Sequence, residues 1–311
     1  MKWIISKIIK RIFFICCISI ISFSAIGQVT EDEFGKVEAD TILGWKKGGL
    51  IQIGGSQVSL TNWIAGGQSS VAVNGIVSLY ARKTMESYVW ENFLDLGYGL
   101  IRQGEQNPWR KTDDRLDFTS KFGRTITDNW NFTGLLNFKT QFTEGVAENG
   151  EKISSFMAPA YLIAAIGGEY KPNQNFSFFL APLASKNTFV LDPQLSETGS
   201  FGVDPGSVYR SEFGGYFRMA YKVGIMENIS FQTKVELFSN YLNNPENIDV
   251  NWETLLSLKV NKYISTTLAT HLIYDHDIAI PVDRTGDGIF DSSGPRTQFK
   301  QVLTVGIAVT F

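Results

Sequence analysis

The sequence contains little charge and almost no cysteine. Asp, Glu, Lys and Arg make up 19% of the 311 residues, below the roughly 25% that is usual in soluble domains. Cys16 and Cys17 are its two cysteines, so the rest of the chain can hold no disulfide, thiolate metal site or cysteine nucleophile. Basic residues number 28 against 31 acidic ones, and this balance argues against binding to nucleic acid.

Long apolar runs are also missing after residue 27. The mean hydropathy of −0.04 and the absence of a run near the ~20 residues of a spanning helix exclude a helical membrane bundle. Residues 1–27 have the pattern of a secretory signal peptide, with four basic residues before an apolar stretch and small residues at the predicted cleavage site. A retained N-terminal transmembrane helix is the alternative. Residues 28–47 are polar and acidic, and we expect them to form a periplasmic N-terminal segment.

After this segment the hydropathy alternates with a period of two residues. In the last segment Leu303, Val305 and Ile307 share one parity, whereas Thr304 and Gly306 take the other. Successive residues of a strand point to opposite faces, so each such segment has an apolar face and a more polar face. We count twelve of them, over residues 50–60, 69–83, 86–103, 111–126, 130–144, 155–171, 175–188, 208–222, 227–240, 248–261, 263–277 and 296–311.

The connections between these segments alternate between short and long. Most segments exceed the ~9–11 residues that a barrel strand needs to cross a membrane. Short turns on one side, longer loops on the other and an even strand count are typical of outer-membrane barrels. The sequence therefore predicts an all-β protein, a twelve-stranded antiparallel transmembrane β-barrel over residues 48–311. A periplasmic β-sandwich is the alternative, but it does not account for the alternating loop lengths.

If the apolar faces contact lipid, the polar faces line the lumen and carry most of the charge. The lumen-lining charged residues that we predict are Arg115, Lys139, Glu169, Arg210, Glu212, Arg218, Lys234, Glu236, Glu253, Lys259, His271 and Asp275, with Glu91, Asp95, Asp117 and Lys121 on the same faces. Two interpretations stay open: a lumen held shut by ion pairs, or a hydrated pore whose charges select solutes. Arg210 and Arg218 on one strand could favour anions unless neighbouring carboxylates neutralise them.

Catalytic and metal-binding patterns are weak. His271 could meet Ser257 or Ser265 in a hydrolase of the barrel wall, but the sequence has no GxSxG elbow and no HExxH motif. The loop 283–291 has some of the acidic spacing of a calcium loop but lacks the bidentate glutamate. We therefore expect no enzymatic activity, no cofactor and no resident metal. The roles of loops 189–207 and 278–295 stay open.

Several blocks of sequence carry a family resemblance. They are TNWIAGGQSSVAVNG (61–75), NPWRKTDDRLDF (107–118), APLASKNTFV (181–190), FGVDPG (201–206), LFSNY (237–241), IDVNWE (248–253) and RTQFKQVLTVGIAVTF (296–311). Together and in this order they resemble a family of envelope proteins from Bacteroidota, catalogued as domain of unknown function 3078. The resemblance implies an outer-membrane location and no known activity.

These observations favour a passive channel or small-solute pore in the outer membrane. A closed structural or interaction barrel with a salt-bridged lumen is the first alternative, and an integral-membrane hydrolase is the second. The expected partners are outer-membrane lipid, a small solute, and the barrel-assembly machinery, which would read the C-terminal strand ending at Phe311.

Overall fold

Twelve antiparallel strands close into one barrel. The computed structural model describes residues 43–60, 68–104, 107–147, 150–173, 175–261, 264–282 and 291–311. The barrel strands are β1 (Gly44–Val58), β2 (Ser70–Thr84), β3 (Tyr88–Gln103), β4 (Arg110–Thr127), β5 (Trp130–Thr140), β6 (Ala160–Asn173), β7 (Phe176–Phe189), β8 (Tyr209–Met226), β9 (Ile229–Asn240), β10 (Ile248–Lys259), β11 (Ile264–Tyr274) and β12 (Gln298–Thr310). The predicted fold class and strand count are confirmed.

Each strand pairs with its neighbours in the chain, and the first pairs with the last. β1 and β2 pair over 15 residues, from Gly44–Thr84 to Val58–Ser70. β12 closes the barrel against β1 over five residues, from Leu50–Thr310 to Gly54–Gly306. Closure removes the unpaired strand edges, which is the requirement that hydrocarbon imposes on a spanning sheet. We call the end with connections such as 128–129 the turn end and the opposite end the loop end.

The start of β1, the end of β5 and the start of β6 differ from the sequence prediction. β1 begins at Gly44, so residues 44–47 belong to the barrel and not to the N-terminal segment, because they pair with β2. β5 ends at Thr140 and β6 begins at Ala160, which makes both strands shorter than predicted. The intervening residues form a separate ribbon, in which 145–146 pair with 152–154.

The outer surface is apolar and the inner surface is polar, as β5 illustrates. Phe132 and Leu136 are exposed on the outside, whereas Thr133 and Asn137 are buried inside. At the turn end the outward aromatic rings of neighbouring strands meet, with ring centroids 5.0 Å apart for Trp130–Tyr170 and 6.5 Å apart for Phe176–Tyr221. An apolar exterior bordered by aromatic rings is the surface of an outer-membrane barrel.

The connection that joins β7 to β8 has internal structure. It contains a short helix, α1 (Pro193–Glu197), followed by a 3₁₀ turn over Ser200–Gly202. Val190, Leu195 and Val203 pack with Ala158 of the preceding loop in a small apolar core. We call residues 190–208 the capping loop. Within the described residues, no helix is long and apolar enough to cross a membrane.

The facing of the strands can be tested with arginine substitutions. Leu256 lies on the outer face of β10, next to the buried Ser257. Leu256→Arg should lower the free energy of unfolding by about 2–4 kcal/mol, because it places a guanidinium in hydrocarbon. Gln298→Arg, at the exposed loop end of β12, should change it by less than about 0.5 kcal/mol. Urea unfolding in lipid vesicles measures both, and equal losses would contradict the assigned facing.

Candidate functional site

Opposite charges meet in register on the inner faces of neighbouring strands. Arg82 lies opposite Glu91, and Glu91 lies opposite Lys121 on the next strand. Farther around the barrel, Lys234 lies opposite Glu253. Further pairs are Asp117–Lys139, Arg218–Glu236 and Lys186–Glu212. Directly opposed unlike charges stabilise a sheet. The register of the strands therefore decides which charged side chains pair in the lumen, and these pairs in turn favour that register.

The network nearest the turn end is centred on Lys121. Its Nζ lies 3.0 Å from Glu91 Oε2 and 3.1 Å from Glu169 Oε1. Lys171 Nζ approaches Glu91 Oε1 at 3.2 Å, and Thr133 donates to Glu169 Oε2 at 3.2 Å. These groups come from β3, β4, β5 and β6. The predicted residue Glu169 therefore lies in a buried ion-pair cluster.

The second network crosses the lumen. Lys139 on β5 reaches Glu236 on β9, four strands away around the barrel, with 2.8 Å between Nζ and Oε2. Arg218 Nε lies 3.7 Å from Glu236 Oε1, and Asn251 donates to Glu236 Oε2 at 2.9 Å. This contact differs from the neighbouring-strand pairs because it joins two strands that are not adjacent in the barrel.

Glu253 lies close to two further side chains that can carry a positive charge. Lys234 Nζ lies 3.2 Å from its Oε2, and His271 Nε2 lies 3.9 Å from its Oε1. His271 also contacts Asn251 Oδ1 at 2.6 Å. Lys300, which lies opposite His271 on the neighbouring strand, pairs through its Nζ with Asp113 Oδ1 at 2.9 Å and links β12 with β4.

A third cluster, at the loop end, surrounds Lys186. Its Nζ lies 2.6 Å from Asp249 Oδ2, 2.8 Å from Asp275 Oδ2 and 3.7 Å from Glu212 Oε2. Arg210 pairs with Glu212 at 3.0 Å and with Asp277. The predicted cationic face of β8 is thus neutralised, since Arg210 and Arg218 both contact carboxylates.

Above the second network the lumen widens into a chamber of about 630 Å³. Its walls include Arg115, Lys139, Glu253 and His271, and Phe201 of the capping loop reaches its rim. Tyr161, Tyr216 and Phe238 add apolar surface to the charged groups. A concave space with mixed apolar and polar walls can hold a small molecule, so we treat the chamber as the candidate site.

Below the chamber the inward side chains are packed together. Ser78, Thr133, Gln232, Leu255 and Thr304 come from five strands, and none is more than 2% exposed. We call these five side chains the floor. Because water does not reach their surfaces, the floor closes the lumen below the chamber in this conformation.

The remaining predicted residues are placed as follows. Lys259 shares the inward parity but lies exposed at the turn end of β10. Ser257 pairs with Thr267, whereas His271 pairs with Glu253, so the contact that a serine hydrolase needs is not made between them. The suggested calcium loop lies almost wholly outside the described residues.

Sequence reasoning missed Lys186, which holds the loop-end cluster together. The alternation that puts Phe176, Phe178 and Leu180 outside would also put Lys186 outside. The register shifts near Pro182, since Ala181 pairs with Tyr216 but Ala184 pairs with Gly214. This bulge turns Lys186 inward. Proline inside a strand pattern was the available signal, because it lacks a backbone donor and marks bulges.

Part of the chain matches the model of a known family. Residues 56–146 match the family model described as Protein of unknown function (DUF3078). The predicted family resemblance is confirmed over this region, which holds strands β2 to β5. Two of the seven sequence blocks, at 61–75 and 107–118, lie within it. No curated protein matches the chain.

Among solved structures the chain is similar to several outer-membrane barrels. An outer membrane channel from Pseudomonas putida F1 is 10% identical with a TM-score of 0.41, covering 91% of this chain and 100% of that one. The translocator domain of the autotransporter NalP from Neisseria meningitidis is 9% identical with a TM-score of 0.38, covering 90% and 91%. The NanC porin is 10% identical with a TM-score of 0.38, covering 83% and 98%. These values are too low to transfer an activity.

Removing one carboxylate from the second network tests how much this network contributes to the free energy of unfolding. Glu236→Gln leaves the Lys139 ammonium without its closest carboxylate and should lower the free energy of unfolding by about 3–5 kcal/mol, because an uncompensated charge stays buried. Glu144→Gln is the matched control, since Glu144 is half exposed and 3.5 Å from Lys152. It should cost less than about 1 kcal/mol. Thermal and urea unfolding in detergent micelles measure both, and similar losses would contradict a closed, ion-paired lumen.

Asp192 fixes the capping loop, and its charge makes the loop pH-sensitive. Its carboxylate accepts from Lys152 Nζ at 3.0 Å and from the amides of Gln194 and Leu195 at the start of α1. The hydrogen bond from Lys152 lowers the pKa of Asp192 below its usual value. A lowered pKa stabilises the ionised form, so this contribution is complete above the unfolded pKa of about 3.9 and is lost as pH falls through the folded value.

The loop should therefore open at acidic pH. Amide exchange at Leu195 and Ser196, corrected for intrinsic rates, is expected to rise as pH drops below about 4. Asp192→Asn keeps a side chain that can cap the helix but removes the charge, so it should weaken the pH dependence. An equally steep pH dependence in the Asn variant would assign the effect to another group.

Proposed function

We propose that the protein is an outer-membrane barrel that receives small solutes in its loop-end chamber and is closed to ions in the described conformation. The apolar exterior with its aromatic border supports the location. The burial of the floor beneath an open chamber of about 630 Å³ is the observation that carries the proposal. A water-filled pore of constant width would leave those inward side chains exposed.

The cross-lumen ion pairs explain why ions would be excluded. An ion that moves past Lys139 and Glu236 must separate a contact of 2.8 Å and leave both groups partly unpaired. Breaking a buried pair is expensive, on the order of 3–5 kcal/mol. The chamber then acts as an external vestibule, and the second network with the floor acts as its closure.

The proposal includes export across the inner membrane and assembly into the outer membrane. The pattern of residues 1–27 supports cleavage by signal peptidase, and residues 28–43 would then face the periplasm. β12 ends beside the exposed aromatic residue Phe311, which would present the assembly signal. We include no catalytic step and no cofactor in the proposal, and His271 serves in it as a hydrogen-bonding wall residue.

Conductance in a planar bilayer tests the closure. The wild-type protein should give no stable steps in KCl, whereas Lys139→Ala/Glu236→Ala should give discrete steps, because the bridge across the lumen is gone. Lys111→Ala/Asp114→Ala removes a 2.9 Å pair within one strand and should stay silent. Heat-dependent mobility on gels confirms folding of each sample. Large stable steps from the wild type would instead favour a passive open pore.

A structural or interaction role is the second candidate. The capping loop favours it, because a loop with its own apolar core offers a defined surface to a partner outside the membrane. In that case the Lys139/Glu236 variant would also stay silent, and vesicles holding the wild type would be as impermeable to neutral solutes as protein-free vesicles.

A further inference from the structure

The chamber has an excess of negative charge at the loop end of the barrel. This charge belongs to the cluster around Lys186. Among the described residues, the positive groups of the cluster are Lys186 and Arg210, and its carboxylates are Asp249, Asp275, Glu212 and Asp277. Two positive groups thus face four carboxylates, and a buried charge without a counter-charge is costly. We call this part of the chamber the acidic end.

An uncompensated positive charge lies deeper, in a recess of about 10 Å³ that adjoins the chamber. Arg115, His271, Lys300 and Asp113 line both spaces. Lys300 is paired with Asp113 at 2.9 Å, but Arg115 makes no ion pair with a described carboxylate, and its Nε and Nη2 atoms are buried without an acceptor among the described groups. The recess therefore holds a guanidinium whose charge no close carboxylate balances.

Four carboxylates act on Arg115 from a longer distance, and three of them have closer partners. The four are Asp95, Asp113, Asp117 and Glu253. Asp113 and Glu253 are each paired with a lysine, at 2.9 Å and 3.2 Å, and Asp117 accepts from an asparagine at 2.6 Å. Arg115 thus keeps donors for an incoming carboxylate, which arginine can bind through two parallel hydrogen bonds.

The acidic end and the recess are separated by about the length of a short peptide. Asp249 lies four residues before Glu253 on β10, and Glu253, His271 and Lys300 follow one another across β10, β11 and β12 in register. At ~3.3 Å per residue, the acidic end is roughly 13 Å from the level of the recess along the strand. An extended chain of n residues spans at most ~3.3–3.6 Å × n, so three or four residues match this distance.

One wall of the chamber, on β6, β8 and β9, is apolar. Tyr161, Ile163, Tyr216 and Phe238 line it, and Ile163 packs against the buried cluster that contains Tyr216 and Phe238. Phe201 of the capping loop adds an aromatic ring at the rim. About 630 Å³ is available beside these side chains, so apolar groups of a bound molecule can leave water there.

We propose that the chamber binds peptides of three or four residues that have free ends and apolar side chains. This assignment rests on the proposed function, since it names the class of solute that the chamber receives. The ammonium of the peptide lies beside Asp249 and Asp275 and supplies part of the missing positive charge. Its carboxylate binds Arg115 in the recess, and its apolar side chains pack against the wall of β6, β8 and β9.

Calorimetric titration of the refolded protein in detergent tests the peptide class. The probe is the tripeptide Ala-Phe-Ala, compared with the same peptide acetylated at its N-terminus and with the same peptide amidated at its C-terminus. Each modification should weaken binding to the wild type by roughly tenfold, because one contact between charged groups is lost. Equal affinity for the three forms, or no binding at millimolar peptide by protein that is folded on gels, would overturn the assignment.

Two variants test the two ends of the peptide separately. Arg115→Gln should abolish the loss of affinity on amidation and keep the loss on acetylation, whereas Asp275→Asn should do the reverse. Arg124→Gln, at the exposed turn end of β4, and Glu86→Gln, in the exposed turn between β2 and β3, are the matched controls and should keep both losses. If Arg115→Gln does not fold, Lys300→Gln removes the half-exposed cation of the same recess and should reduce the loss on amidation.

The outcomes separate this inference from the proposed function. Absent binding, or losses that persist unchanged in Arg115→Gln and Asp275→Asn, would overturn the peptide site and leave the silent bilayer recording intact. A loss on acetylation alone, or on amidation alone, would show recognition of a single charge and would also overturn it. Stable KCl steps from the wild type would overturn the closure, whatever the peptide affinity. Two losses, each abolished in its own variant, together with a silent bilayer support both.

Discussion

The structure depends on pairing of opposite charges inside a closed sheet. Closure leaves no strand edge in hydrocarbon, and the period of two then sends every second side chain into the lumen. Charges placed there are far from bulk water and must find partners. Neighbouring strands supply most partners in register, as Glu91–Lys121 does, and Lys139–Glu236 supplies a contact between strands that are not adjacent.

This pairing divides the lumen into regions with different chemistry. Where charges bridge strands across the lumen, the inward side chains are paired, and we propose that ions are excluded there. Toward the loop end the walls separate, and the chamber opens under the capping loop.

Most of the architecture could be predicted from the sequence, because alternation over long segments fixes strand number and facing together. The local register of the strands could not be predicted in this way. Lys186 was missed because the bulge at Pro182 inverts the parity of the strand beyond it. The start of β1 was placed too late because Lys46 and Lys47 look like part of a polar segment, although they pair with β2. Contacts across the lumen, such as Lys300–Asp113, join residues 187 positions apart, and no local pattern encodes them.

The central claim is that Lys139 on β5 and Glu236 on β9 hold these two non-adjacent strands together, and a double-mutant cycle measures that contact most directly. Unfolding free energies of the wild type, Lys139→Met, Glu236→Gln and the double variant give the coupling between the two side chains. The account predicts a coupling of more than about 1 kcal/mol, in the range found for residues of one ion-pair network. Additive losses would mean that the two side chains do not interact, which would contradict this account.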